Sequence, residues 1–274
     1  MNGSDPYTRP AIAGSGTIAC GLAACASALG EVRVLARSDA SAWRAEEQSQ
    51  KAAEKLEGGQ PRRIKVTVEV GALSACDLVV EAIAEDLEAK GALLAELGAA
   101  CPGADLASTT SSLSVVELAR RSGHPDRVFG LHVFNPVTRM ELVELCVPAG
   151  ARGDIAERAR GWCHALGKTA VDVPDCAGFV VNRLLFPYLF EAVRLMASEN
   201  LSATAVDDCM RLGAGHPMGP LKLLDFVGLD VAVAIGEHMH ADSGEEAHEP
   251  PPLIRALVAE GKLGRKSGEG FYTY

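Results

Sequence analysis

The stretch AIAGSGTIACGLAACASALGEVRVLARS, residues 11–38, decides the fold. Ala11-Ile12-Ala13 is a short apolar start. Gly14-Ser15-Gly16-Thr17-Ile18-Ala19 follows at once, then a run of small residues with helical character to Leu29. Gly30-Glu31 stops that helix, and Val32 to Ala36 alternates as a second strand. Strand, glycine turn, helix and strand in about thirty residues make a βαβ unit. GSGTIA matches the G-x-G-x-x-[GA] pattern. Gly14 permits the tight turn, Gly16 lets a pyrophosphate approach the backbone, and small Ala19 lets the helix pack closely on the sheet. The pattern alone is weak, with a structural glycine turn as its alternative, and its place between the first strand and first helix favours dinucleotide binding.

An acid normally closes the second strand to accept the adenosine ribose hydroxyls of NAD, but here the chain reads Val34-Leu35-Ala36-Arg37-Ser38. Arg37 and Ser38 are suited to donate to a 2′-phosphate, which favours NADP(H) over NAD(H). A solvated arginine at a strand end is the alternative. Further on, residues 39–60 read as helix, Val66–Val70 as a strand and Asp77–Ile83 as a buried strand. Leu87–Ala99 is predicted as helix, Ala104–Ser108 as a strand, and Ser114–Arg120 as a helix capped by Ser112 or Ser114. Thr169–Val173 ends the alternation. From Phe179 the pattern is helix after helix until the last residues, which sets a domain boundary between residues 174 and 175. The expected fold class is α/β: a Rossmann-type dinucleotide-binding domain, 1–174, followed by an all-helical domain, 175–274.

A chain of 274 residues can bury roughly three quarters of its unfolded surface in one or two cores. The net charge of −10 disfavours nucleic acid as a partner. No apolar run reaches the ~20 residues of a membrane span, and the first ten residues lack the basic start and apolar centre of a secretory signal. A cytoplasmic protein is expected. The eight cysteines show no CxxC spacing and read as small buried residues in a reducing compartment. The acid-, His- and Pro-rich stretch His238–Pro252 reads as a solvated loop rather than a metal site.

GLHVFNPVTRMELVE, residues 130–144, carries a histidine and a glutamate twelve residues apart, separated by the break Asn135-Pro136. A strand, a turn and a returning strand over Glu141–Val147 would set His132 and Glu144 face to face. A core histidine beside a solvated acid is the alternative.

Together with SSL (111–113), ELVEL (141–145), GFVVNRLL (178–185), LGAGHPMGPLKLLDFVGLD (212–230) and GRKSGEGFY (264–272), this segment resembles the 3-hydroxyacyl-CoA dehydrogenase family. The resemblance spans nearly the whole chain and is weakest over residues 37–75. It implies that His132 is the catalytic acid/base, with Glu144 orienting it, and that Ser111 and Asn182 hydrogen-bond the oxygens of a 3-oxoacyl thioester. Glu85, Lys90 and Lys266, which as isolated charges read as solvated, are implied with Asn135 to contact the dinucleotide. The cofactor-binding set is thus Gly14, Ser15, Gly16, Thr17, Ile18, Arg37, Ser38, Ala82, Ile83, Glu85, Lys90, Ser111, Asn135 and Lys266. The substrate is expected to be an acyl-CoA, held by Ser111, His132 and Asn182, with Lys51, Lys55, Arg62, Arg63 and Lys65 left as partners for the CoA phosphates; a solvated charged face is the alternative for that run. No metal is expected, and the helical domain is expected to form a homodimer. The chain departs from the family in three ways: Thr109 replaces an Asn, the acid after the second strand is missing, and the segment after that strand is shortened. That shortening keeps open a dehydrogenase of a free hydroxy or sugar acid. A non-catalytic dinucleotide-binding protein is a third reading, against which all four polar site residues count.

Overall fold

The computed structural model describes residues 6–274, so half of the stretch examined for a secretory signal, residues 1–5, lies outside the described part. Two compact units divide the chain, Met1–Asp175 and Cys176–Tyr274.

The first unit alternates strands and helices. Its elements are β1 (Pro10–Ala13), α1 (Thr17–Ser27), β2 (Val32–Leu35), α2 (Asp39–Glu54), β3 (Ile64–Thr67), β4 (Leu78–Glu81) and α3 (Leu87–Ala100). They continue with β5 (Asp105–Ser108), α4 (Val115–Ser122), β6 (Val128–Val133), β7 (Leu142–Cys146), α5 (Ile155–Ala165) and β8 (Thr169–Asp172). The eight strands form one sheet in the order β3-β2-β1-β4-β5-β6-β7-β8. All neighbours run parallel except β6 and β7. This is the doubly wound Rossmann arrangement, extended by β7 and β8, and its chain order reverses between β1 and β4.

Central strands of such a sheet are covered on both faces, so their residues are mostly apolar. Every residue of β1, β4, β5 and β6 is buried. Alternate residues feed two cores. Ile12, Val34, Val80 and Phe129 pack with the small residues of α1, while Ala11, Val79, Leu106 and Val128 pack with Leu94, Leu97 and Leu118.

Three local expectations need correction. The strand expected at Val66–Val70 lies two residues earlier, at Ile64–Thr67. Its partner β2 ends at Leu35, opposite Thr67, so no backbone remains for residues 68–70 to pair with. Val70–Leu73 forms a 3₁₀ turn instead. Helix α2 stops at Glu54, short of the Gly58-Gly59 turn. Helix α5 was not anticipated at all. Its buried Ile155, Ala159, Trp162 and Cys163 recur at helical spacing, a signal that was present in the sequence.

The second unit contains α6 (Val181–Ser198), α7 (Ala203–Asp208), α8 (Pro220–Val227), α9 (Leu229–Ser243) and α10 (Pro252–Ala259). Phe186, Leu189, Phe190, Leu221, Leu224 and Met239 form its core. Buried Asp207 and Asp225 tie down the final segment. Asp225 accepts the N–H groups of Phe271 and Tyr272 at 2.9 Å, and Asp207 accepts the Tyr272 hydroxyl at 2.7 Å. The stretch His238–Pro252 is not the solvated loop expected. His238 and His240 ride on the end of α9, and His248 is buried with Nδ1 2.6 Å from the Ser243 hydroxyl. Among the described residues no group of His, Cys, Asp and Glu side chains is arranged to hold a metal ion. No described helix is long and apolar enough to cross a membrane.

Candidate active site

The glycine loop joins β1 to α1 at the edge where the chain order reverses. Gly14 has φ +152°, and a Cβ there would stand 2.3 Å from the Ala82 carbonyl oxygen, so only glycine lets the ends of β1 and β4 approach. Gly16 is different. A Cβ on it would meet no protein atom within 4 Å, so internal packing gives no reason for glycine. Gly16 caps α1 without a side-chain acceptor, and the first turn of the helix contains no acid. Open space before helix amides that lack a side-chain cap suits a pyrophosphate. Gly16 and Thr17 are exposed, and Ser15 and Ile18 half-buried; Ala82 and Ile83 follow β4 across the same edge.

Arg37 is exposed just beyond β2 and makes no ion pair among the described residues. Ser38 has a structural duty that the sequence reading missed: its hydroxyl caps α2, accepting the Ser41 N–H, while the Ser38 N–H donates to the Ser41 hydroxyl at 3.0 Å. Lys51 lies on the exposed face of α2, paired with Glu47 at 2.6 Å. Lys55 is exposed at the end of that helix. Arg63 is turned to the Ser27 and Ala28 carbonyls, which makes it a cap of α1 rather than one of a basic run facing a ligand.

Glu85 and Lys90 depart most from a solvated reading. Lys90 is 1% exposed, with Nζ 2.8 and 3.0 Å from the two carboxylate oxygens of Glu81. The Ile83 carbonyl lies 3.3 Å away and Glu85 Oε2 3.4 Å away. Three N–H protons thus face four oxygens, and the ammonium is committed inside the protein. Glu85 Oε1 gathers the next turn of chain. The Thr110 hydroxyl at 2.7 Å, the Ser111 N–H at 2.8 Å and the Ser112 N–H at 3.0 Å all donate to it. Ser111, half-buried, is therefore held through Glu85. Burial pushes the Glu85 carboxyl up, but the Lys90 ammonium and the donors from Thr110, Ser111 and Ser112 outweigh it and hold the group below its ordinary 4.5. Sequence reasoning missed Glu81, Ser108 and Thr110, which lie inside apolar or small-residue strand ends without a motif of their own.

His132 and Glu144 stand directly opposite each other on the antiparallel strands β6 and β7. His132 Nδ1 lies 2.7 Å from Glu144 Oε2, and the residues are 5% and 1% exposed. The Phe134 ring lies 4.5 Å from the imidazole, tilted at 52°. Exposed Asn135 begins the turn between the strands. Lys168, also missed, fixes that turn by donating to the carbonyls of Val137 at 2.6 Å and Met140 at 2.8 Å. Gly21 of α1 lets the turn come close, since a Cβ there would lie 2.9 Å from Val137 Cβ. Asn182 stands in the first turn of α6 and Lys266 pairs with Asp230 at 2.6 Å, both within the second unit.

Residues 10–176 match the model of the 3-hydroxyacyl-CoA dehydrogenase NAD binding domain, and residues 178–274 match that of the family's C-terminal domain. The chain belongs to the 3-hydroxyacyl-CoA dehydrogenase family. It is 43% identical over 213 residues, 77% of each chain, to a probable 3-hydroxybutyryl-CoA dehydrogenase of Deinococcus radiodurans. Among solved structures, FadB2 of M. tuberculosis superposes with a TM-score of 0.94 at 36% identity, covering 98% of this chain and 100% of that one. An (S)-3-hydroxybutyryl-CoA dehydrogenase of Ralstonia eutropha gives 0.91 at 32% identity, covering 98% and 99%. The protein is thus a dehydrogenase that works with a nicotinamide dinucleotide.

The depressed Glu85 carboxyl has a consequence for this enzyme. A carboxylate whose folded pKa is lowered stabilises fully above its unfolded value and loses that contribution as pH falls through the folded one. The stability difference between wild type and Glu85→Gln is therefore expected to be constant at neutral pH and to shrink below pH 4.5. Urea denaturation of both proteins across pH 3–7 measures it, and a pH-independent difference would rule out the charged Glu85 as the organiser of the turn.

Proposed function

We propose that the chain interconverts an (S)-3-hydroxyacyl-CoA and the 3-oxoacyl-CoA, with His132 as proton-transfer group and NADP(H) as the preferred cofactor. The observation that carries the reading is the 2.7 Å contact between His132 Nδ1 and Glu144 Oε2. A carboxylate on Nδ1 fixes the tautomer that bears its proton there, so Nε2 is basic and accepts the proton of the substrate hydroxyl. Glu144, itself buried, then faces an imidazolium, whose charge it stabilises. The nicotinamide, when bound, exchanges the hydride. Ser111, whose hydroxyl donates to Glu85 Oε1 at 3.3 Å, turns that proton to the substrate carbonyl oxygen when substrate binds, and Asn182 supplies an amide donor from α6. Substrate class and stereochemistry rest on the relatives named above. CoA recognition rests on fewer residues, because α2 is followed by only a short turn before β3, leaving Lys51, Lys55 and Arg62 exposed along it.

His132→Ala is expected to lower kcat roughly 10²- to 10⁴-fold with acetoacetyl-CoA while leaving dinucleotide affinity near its native value. Glu144→Gln is expected to slow turnover and to shift the pH profile. Near-native turnover by His132→Ala would remove the histidine from the mechanism, and faster turnover of free acetoacetate than of its CoA thioester would move the substrate to the free acids.

The NADP(H) preference rests on Arg37, exposed after a second strand that ends without an acid. A bidentate guanidinium–phosphate contact is expected to raise NADPH affinity by about 10- to 100-fold. Arg37→Ala should forfeit that advantage and leave NADH use unchanged. Initial rates with both cofactors decide it; native enzyme using NADH as efficiently as NADPH would sink the preference.

The reading includes a homodimer formed through the helical unit, where Leu184 and Leu212 expose 72% and 79% of their surface. Light scattering at micromolar concentration should give twice the chain mass of 28.7 kDa; a single-chain mass would refute it.

A further inference from the structure

We propose that Glu81 is a positioning residue of the reaction: its buried carboxylate, through Lys90 and Ser108, fixes the Thr110–Ser112 turn that carries Ser111. The proposal rests on the reading of Ser111 given above.

Glu81 ends β4, opposite Ala13 of β1 on one side and Ser108 of β5 on the other, at the point where the order of strands reverses. Its residue exposure is 0%. Oε1 accepts the Ile83 N–H at 2.7 Å and the Lys90 ammonium at 2.8 Å. Oε2 accepts the Ser108 hydroxyl at 2.6 Å and the same ammonium at 3.0 Å. All four acceptor sites of the carboxylate are thereby engaged.

Two routes lead from it to the turn. Along one, the Thr110 N–H donates to Ser108 Oγ at 3.3 Å, and that hydroxyl donates to Glu81. Along the other, Lys90 holds Glu85 at 3.4 Å, and Glu85 collects the donors of residues 110–112. A buried ion pair is seldom kept for stability, since apolar residues of similar volume commonly serve as well or better. What this pair secures is the position of three consecutive polar residues, one of them Ser111.

In Glu81→Gln one oxygen becomes an NH₂ group. The remaining oxygen still serves the Ile83 N–H, so the chain beside the glycine loop keeps its support. Ser108 has to reverse and accept, which weakens the Thr110 contact, and Lys90, left with one Glu81 oxygen, shifts against Glu85 and disturbs its hold on residues 110–112. The effect falls on the serine turn.

Glu81→Gln is expected to lower kcat/KM for acetoacetyl-CoA roughly 10- to 100-fold, the scale of a small displacement of a polar group at the reacting centre. Dinucleotide affinity, read by fluorescence titration, should stay nearly native. Amide hydrogen exchange should rise over 109–114 and remain unchanged over 128–146. With Ser111→Ala the losses should be non-additive, the double variant being no slower than Ser111→Ala alone. Additive losses, unchanged exchange at 109–114, or an equal loss of dinucleotide affinity would overturn the proposal. If Ser111→Ala alone keeps native kcat/KM, the reading of Ser111 fails and Glu81 falls with it; a Ser111 effect with additive losses sinks Glu81 only. Should Glu81→Gln not fold, Ser108→Ala cuts one route without unpairing a charge and carries the same expectations. Wild-type behaviour of that variant on every measure overturns the proposal too.

Discussion

The pairing of β6 with β7, the one antiparallel ladder in the sheet, sets His132 opposite Glu144 and is the constraint on which the candidate chemistry depends. Side chains alternate along a strand, so a slip of one residue would carry Glu144 to the other face of the sheet and leave the imidazole without its carboxylate. The register is secured away from the pair itself. Lys168 binds two carbonyls of the connecting turn, and Gly21 lets Val137 seat against α1, the helix behind the glycine loop. The turn that fixes the His132–Glu144 pair is thus packed on the helix that follows the glycine loop.

Buried carboxylates recur at this edge of the sheet, and each has hydrogen-bonding partners facing it. Glu144 faces His132, Glu81 faces Lys90, and Glu85 faces Lys90 together with the donors of the serine turn. Taking a carboxylate out of water is costly unless donors replace its hydration. Glu81 meets that condition with its four donors. The acids of the site are therefore set between rigid elements, and the polar groups they hold have little freedom to drift.

The fold was legible because it follows from local patterns. The glycine loop, the small-residue helix after it and the largely apolar stretches at 11–13, 77–83 and 104–108 leave few alternatives to a doubly wound sheet. The His–Glu pairing was legible for the same reason: a proline break between two apolar segments predicts a return of the chain, and twelve residues is the right length for it. Glu81, Lys90 and Lys168 were not. A lysine or glutamate within an apolar run has no periodic signature, and its burial depends on partners brought in by other strands. Lys90 meets Glu81 from nine residues away, Ser108 meets it from twenty-seven, and Lys168 reaches a turn twenty-eight and thirty-one residues back. The capping duty of Ser38 shows the reverse failure: a local signal was present, and a functional reading displaced it.

Parallel strands all deliver their C-terminal ends to one edge of a sheet, where ligand crevices form. In this chain β1, β4, β5 and β6 bring there Gly14, Glu81, Ser108 and His132, each within two residues of its strand's last position. A carboxylate beside His132 has to come from the side of β6 that β5 leaves open, and from a chain that returns after a turn too short for a parallel crossover. An antiparallel strand solves the problem, since it delivers its beginning rather than its end to the same edge. Glu144 is the third residue of β7, close enough to the start to reach that edge and far enough in to be 1% exposed. The reversal after β6 is therefore what allows this doubly wound sheet to hold a buried acid 2.7 Å from the histidine opposite it.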